Sequence, residues 1–216
     1  MALGTYTDLK TSVANYLERE DLTATIPDFI TLTENRLNRD IRGRVNMIRA
    51  TTTTTAGIAF YDLPADLIEL RNITYNTTSD SHALSYLSPE EGTREFGAYP
   101  TGRPRAYTNL GKNIKIYPTP DGEYTIGINY FQKLTALSST NETNSILTEF
   151  PELYLFGSCK EGAVYLNDTE QLARFDTLYN NALTSIKGAE DSARYSGTVM
   201  TMRVQGDPGS LIRRGA

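Results

Sequence analysis

TYTDLKTSVANYL (residues 5–17) and TIPDFITLTENRLNRD (residues 25–40) each spell out a helix start followed by one apolar stripe. In the first, the Thr5 hydroxyl can accept from an early backbone N–H, and Asp8, three residues on, favours the positive helix end. Leu9, Val13, Tyr16 and Leu17 then recur at helical spacing, with Lys10, Glu18 and Arg19 outside the stripe. In the second, Thr25 stands before Pro27 and Asp28, and proline suits a first turn whose N–H has no intrahelical partner. Ile26, Ile30, Thr33, Leu37 and Ile41 share the face. The pair reads as a helical hairpin over residues 1–43.

Residues 44–136 change period. Thr51 to Thr55 and Ile58 to Tyr61 are β-prone, and Leu63-Pro64-Ala65-Asp66 turns into Ile68, Leu70, Ile73 and Tyr75. Ser88-Pro89-Glu90-Glu91 caps a short helix that stops near Gly97. Ile114 and Ile116 alternate with Lys115, and Asp121-Gly122 leads into Tyr124, Ile126, Ile128 and Tyr130, which predicts an antiparallel hairpin across that turn. Residues 137–144 are a polar loop. Helix resumes at Phe150, with Leu153, Gly157, Glu161 and Val164 on one side. After Asn167-Asp168, a second stripe follows at Leu172, Phe175, Tyr179, Leu183 and Ile186. The expected fold is α+β: a helical bundle from the N-terminal pair (1–43) and the C-terminal loop and pair (137–191), with 44–136 as an inserted antiparallel β layer.

Beyond Asp191 the periodicity is lost, and residues 192–216 read as an extended arm punctuated by glycine and proline. Four arginines stand there against Asp207 alone, whereas residues 140–191 hold nine acids against Lys160, Arg174 and Lys187. Body and arm carry opposite charge.

The formal charge of −5 argues against a general nucleic-acid coat, because phosphate binding draws on clustered Lys and Arg. A single cysteine forms no internal disulfide, and no apolar run suggests a signal peptide or a membrane span, so synthesis in the cytoplasm is expected. The Asn-X-Thr sites at Asn72, Asn76 and Asn141 then read as ordinary loop sequence. Enzyme signals are poor. His82 is the sole histidine and reads as solvated loop; Cys159, inside a helix, reads as a buried thiol; Glu90 and Glu91 are explained by the helix dipole. Gly157 and Gly162 read as helix-packing or fraying positions. No cofactor or metal is expected.

Arg36, Arg39, Arg42, Arg44 and Arg49 cluster where the second helix ends. They complement the negative helix end in one reading; in the other, Arg36, Arg39, Arg42 and Arg44 form an inter-subunit seam against the acidic helices of a neighbour. Arg103 and Arg105 admit the same two readings. Fourteen tyrosines and no tryptophan suit wet protein contacts. Tyr16, Tyr154 and Tyr179 fit a core, while Tyr61, Tyr99, Tyr107, Tyr117 and Tyr195 lie at turns and fit an interface.

Tyr6-Thr7-Asp8-Leu9-Lys10, Ile26-Pro27-Asp28-Phe29-Ile30 and Glu34 to Asp40, in that order, resemble the head-to-tail adaptor proteins of short-tailed bacteriophages. Ile116 to Pro120, Ile146 to Pro151 and Glu161 to Leu166 extend the likeness. The resemblance implies a non-enzymatic virion protein at the head–tail junction. It implies a twelve-fold ring between the portal protein and the tail nozzle or fibre protein, with DNA passing through the channel without sequence-specific binding. It also implies a C-terminal arm reaching the portal. Within that arm, charge and apolar character nominate Arg194, Tyr195, Val199, Met202, Arg203, Val204, Leu211, Ile212, Arg213 and Arg214. The alternatives are another nozzle or fibre-attachment component, or a small nucleic-acid-binding module using the Arg36 to Arg49 cluster.

Overall fold

The computed structural model describes residues 3–76, 81–98 and 100–194. Helix α1 (Tyr6–Leu17) begins as its sequence predicts, with Thr5 Oγ1 accepting from the Asp8 N–H at 3.1 Å. It ends at Glu18, whose left-handed backbone (φ 54°) turns its N–H back to the Ala14 and Asn15 carbonyls. Helix α2 (Ile26–Asp40) departs from expectation at its start. The Thr25 side chain makes no cap, because residues 21–25 already turn and the Ile26 N–H is taken by the Leu22 carbonyl.

A 3-10 turn (Arg44–Asn46) leads into β1 (Met47–Thr53), followed by β2 (Phe60–Asp62), β3 (Leu67–Asn76), β4 (Ser81–Ala83) and β5 (Ser85–Tyr86). Helix α3 (Pro89–Phe96) carries the predicted capping box between Ser88 and Glu91. Then come β6 (Thr101–Gly102), β7 (Ala106–Leu110), β8 (Asn113–Tyr117), β9 (Thr119–Pro120) and β10 (Thr125–Gln132). The chain closes with a short α4 (Ser145–Glu149), α5 (Pro151–Tyr165) and α6 (Thr169–Arg194).

The strands form two four-stranded sheets, ordered β1-β10-β3-β4 and β2-β8-β7-β5, and a small β6-β9 pair. Ile73, Tyr75, Ile126, Ile128 and Tyr130 from the first sheet share one apolar cluster with Tyr107, Ile114 and Ile116 from the second. The period-two alternation thus buries one face of each sheet against the other. The hairpin expected across Asp121-Gly122 is not formed. Both isoleucine runs do face inward, but from opposite sheets, so that turn carries the chain from one sheet to the other. The hairpin is β7–β8, closed by the two residues Gly111 and Lys112, with Gly111 at φ +68°, the conformation a tight turn asks of its first central residue. The layer is also not purely antiparallel, since β5–β7 and β6–β9 pair in parallel.

The helices enclose a second cluster. Leu9, Val13 and Leu17 from α1, Ile26, Phe29, Ile30 and Leu37 from α2, Leu153, Tyr154 and Cys159 from α5, and Phe175, Tyr179, Leu183 and Ile186 from α6 belong to it. Helix α5 lies against α1, α2, α4 and α6. This central position explains why its predicted stripe fails: Leu153 and Gly157 are buried, but Glu161 sits at the margin and Val164 is 55% exposed, while burial runs round most of the helix. Tyr16, expected in the core, is 39% exposed. Helix α6 continues past Asp191 to Arg194, three residues beyond the expected end of the stripe.

Two glycines set how closely α5 approaches its neighbours. A Cβ at Gly157 would stand 2.5 Å from Thr33 Cγ2, and one at Gly162 would stand 2.5 Å from Leu17 Cδ1. Gly157→Ala is therefore expected to lower the unfolding free energy by about 1–3 kcal/mol through overpacking. Gly188→Ala, in α6 with nothing within 4 Å of the new carbon, should raise it by about 0.5–1 kcal/mol. Urea midpoints of the two variants, moving in opposite directions, check the assignment.

Candidate assembly interface

The C-terminal end of α2 gathers the chain's basic corner. Arg42 donates to the Asn38 and Ile41 carbonyls at 2.6 and 2.8 Å, closing the helix end, and its Nε pairs with Glu69 at 3.0 Å. Arg36 is paired with Glu161 of α5. The backbone N–H of Arg44 donates to Glu190 of α6 at 2.9 Å, and its guanidinium lies 3.4 Å from the same oxygen. Gly43 allows this contact: a Cβ there would meet the Glu190 side chain at 3.1 Å. The acidic C-terminal helices thus answer the basic corner within one chain for Arg36 and Arg44, and β3 answers it for Arg42. Arg39 is exposed and has no ion pair among the described residues.

Beside this corner runs a groove of about 270 Å³ between the end of α2 and α6. Ile41, Leu183 and Ile186 contribute its apolar lining, and Asp40, Lys187 and Glu190 its polar side. Its ion pairs are partly exposed, so each is worth about 0–1 kcal/mol and the corner is held chiefly by the apolar contacts beneath it.

The tyrosines divide differently from their sequence reading. Tyr154 and Tyr179 are buried as expected, the Tyr179 hydroxyl donating to Asp40 at 3.3 Å. Tyr107 and Tyr117, expected at an interface, are buried: Tyr107 faces the inter-sheet cluster, and α3 packs on Tyr117 through Gly92 and Phe96. Tyr61 uses its hydroxyl locally, accepting from the Thr55 N–H at 3.0 Å and donating to the Ile58 carbonyl at 2.8 Å. Tyr86, like Phe60, is an exposed ring of the second sheet. Tyr99 and Tyr195 lie outside the described residues, as do all the nominated arm residues from Tyr195 onward; Arg194 is the last residue of α6.

Exposed apolar side chains collect at the opposite end of the helices. Tyr165 packs on Phe29 at 5.5 Å, and Tyr16, Leu32 and Val164, all exposed, lie on the neighbouring turns of α1, α2 and α5. Sequence periodicity placed Tyr16 and Val164 on buried stripes and did not single out Leu32 or Tyr165.

Chemistry is sparse. Cys159 is fully buried, and desolvation pushes its thiol up to about 12, far from a reactive thiolate. His82 is exposed but lies in β4, stacked on Tyr75 with centroids 5.3 Å apart. Glu90 and Glu91 occupy the first turn of α3. Among the described residues no group of three or more His, Cys, Asp or Glu is placed to hold a metal ion, and no helix is long and apolar enough to cross a membrane.

One buried carboxylate stands apart. Glu34 accepts from the Leu137 N–H at 2.7 Å and the Tyr154 hydroxyl at 3.3 Å, and Asn144 donates to that hydroxyl at 2.6 Å. Asn144 also caps α4 by accepting from the Leu147 N–H. This network pins the loop that returns from the sheets to the helices. Burial pushes the Glu34 carboxyl above the ordinary glutamate range and outweighs its two hydrogen bonds.

Residues 4–203 match the model of the family described as SU10 adaptor protein. No curated protein matches the chain.

The raised Glu34 carboxyl has a definite sign. Between the unfolded and folded pKa the native state binds more protons than the unfolded one, so stability contributed by this group falls as pH rises through that window. Glu34→Gln, which keeps an acceptor, should be less stable against wild type at low pH than at neutral pH. The difference should move in favour of the variant as pH climbs out of the ordinary carboxylate range. Glu34→Ala, which strands the Leu137 N–H, should cost about 1–3 kcal/mol. Thermal or urea unfolding across a pH series reads both.

Proposed function

The chain belongs to the SU10 adaptor protein family, and on that premise we propose that it is a structural protein of a bacteriophage virion that joins the portal to the tail nozzle. In this reading twelve copies form a ring that continues the DNA channel, and DNA slides through without sequence-specific contacts. The family match over residues 4–203 carries the assignment. The sparse chemistry of the described residues and the acidic body support it, since net negative charge disfavours adhesion to passing phosphates. A nucleic-acid-binding module loses support because Arg36, Arg42 and Arg44 are each engaged by an acid of their own chain.

The proposed domain plan keeps 1–43 and 137–191 as the two halves of a bundle, 44–136 as the β insertion and 192–216 as the arm, whose first three residues belong to α6. The arm docks on the portal through its arginines and through Leu211 and Ile212. The seam lies at the Arg36, Arg39, Arg42 and Arg44 corner, where exposed Arg39 and the largely exposed Arg44 guanidinium meet the neighbour's acidic helices. The exposed apolar end around Tyr165 faces the lower tail partner.

Truncation after Arg194 should leave the urea midpoint within experimental error, because it removes no described residue of either apolar cluster. It should also abolish co-sedimentation with portal rings; a truncated chain that still joins portals at normal affinity would overturn the arm assignment. Assembly should also need a template. Acidic subunits repel at distance, and portal-bound arms raise their effective concentration until weak seams close. The purified chain at low micromolar concentration is expected to run as a monomer or low oligomer by native mass measurement and to form rings once portal is added. Stable rings without portal would remove the templating step.

A further inference from the structure

The two outer faces of the β layer differ in kind. On the second sheet, exposed Phe60 and Leu110 stand beside Asp62 and Lys115. On the first, the alternation that sends Ile73, Ile126 and Ile128 inward sends Arg49, Thr51 and Thr53 of β1 outward, all three exposed. The positions facing them on β10 and β3 are threonine, asparagine and Gly127. These three cross-strand rows hold no carboxylate, in a chain with 26 acids. Glu69, one row beyond, is engaged by Arg42. Within this neutral face Arg49 has a built seat. A Cβ at Gly127 would stand 2.8 Å from Arg49 Nη2 and 2.9 Å from both Arg49 Nε and Thr74 Oγ1, so only glycine lets the guanidinium rest there. Glycine inside a strand weakens it and commonly marks a close approach of a ligand or backbone.

We propose that Arg49, seated at Gly127 beside Thr74, is a phosphate contact through which the outer face of the first sheet meets duplex DNA. The choice of duplex rests on the proposed function, which this inference deepens by assigning that face to the channel. Charge complementarity favours it: the rows around Arg49 offer hydroxyls and amides to a polyanion and no carboxylate to repel it. The guanidinium is held against the strand before any ligand arrives, so less side-chain freedom is lost on contact. Arg36, Arg42 and Arg44 are engaged by acids of their own chain, whereas Arg49 has no ion pair among the described residues. A contact to phosphate carries no sequence information. One such contact per copy is weak enough to break as the duplex slides, and a ring repeats it around the channel.

The test is a titration of the free full-length chain with a short mixed-sequence DNA duplex at low ionic strength, read by amide chemical shifts. No portal is present, so its failure would leave the adaptor and portal assignments standing. In wild type the shifts should centre on Arg49, Thr51, Thr74 and Gly127, and a second duplex of different sequence should give the same pattern. Arg49→Gln should weaken binding on the order of tenfold and flatten the dependence of log affinity on log salt by about one unit. Its urea midpoint should stay at the wild-type value, because Arg49 is exposed. Arg39→Gln, an equally exposed arginine on α2, should change neither affinity nor shift pattern. Gly127→Ala keeps the charge but fills the seat, and should also weaken binding. Wild-type shifts that centre elsewhere or do not occur, or binding that Arg49→Gln leaves intact or that Arg39→Gln reduces as much, would overturn the proposal.

Discussion

The close approach of α5 to α1 and α2 is the constraint on which the helical part of the molecule depends. Gly157 and Gly162 leave no side chain between backbones, and Thr33 and Leu17 occupy the vacated space. Because α5 comes from the last third of the chain and its partners from the first forty residues, this contact joins the two ends of the sequence. The pairing of Arg36 with Glu161 lies on the same helix pair. It adds direction to an association whose strength comes from apolar burial.

The sheets attach to that unit through few links, and most are polar. Asn38 Oδ1 accepts from the Leu134 N–H, Glu34 takes Leu137, and Arg42 reaches Glu69. Leu134 and Leu137 are the apolar part of this joint, since they leave the last strand and enter the helical cluster. The two cores are therefore distinct in composition: leucine, isoleucine and aromatic rings at helical spacing in one, alternating isoleucine and tyrosine in the other. Glu34 at the joint is expensive to bury, yet it satisfies a backbone donor where the chain changes from one core to the other.

Helix starts and stripes were legible because Thr5, Ser88 and the i, i+3, i+4 apolar positions act locally. Sheet pairing was not. Ile114, Ile116, Ile126 and Ile128 all announce a buried face, but nothing in their alternation says whether the two runs lie in one sheet or across from each other. The Asp121-Gly122 turn favoured the wrong choice over the quieter Gly111-Lys112. Tyr107 and Tyr117 looked like surface residues because their burial depends on α3 and on the opposite sheet, both distant information. The basic corner was visible as a cluster, yet only the tertiary structure brings Glu161 and Glu190 to Arg36 and Arg44. The arm residues from Tyr195 onward are known from sequence alone, and their role rests on charge, composition and the family.

The splitting of the helical unit between the two ends of the chain fixes an order of events during synthesis. When α1 and α2 leave the ribosome, Leu9, Phe29 and Ile30 have no complete partner surface, because α5 and α6 lie more than a hundred residues downstream. All strands of both sheets are made before α5, so the β layer can close first while the N-terminal helices wait with their stripes uncovered. The N-terminal hairpin is then a natural client for a holding chaperone. A chain stalled before α5 would expose its greasiest surface at its oldest end.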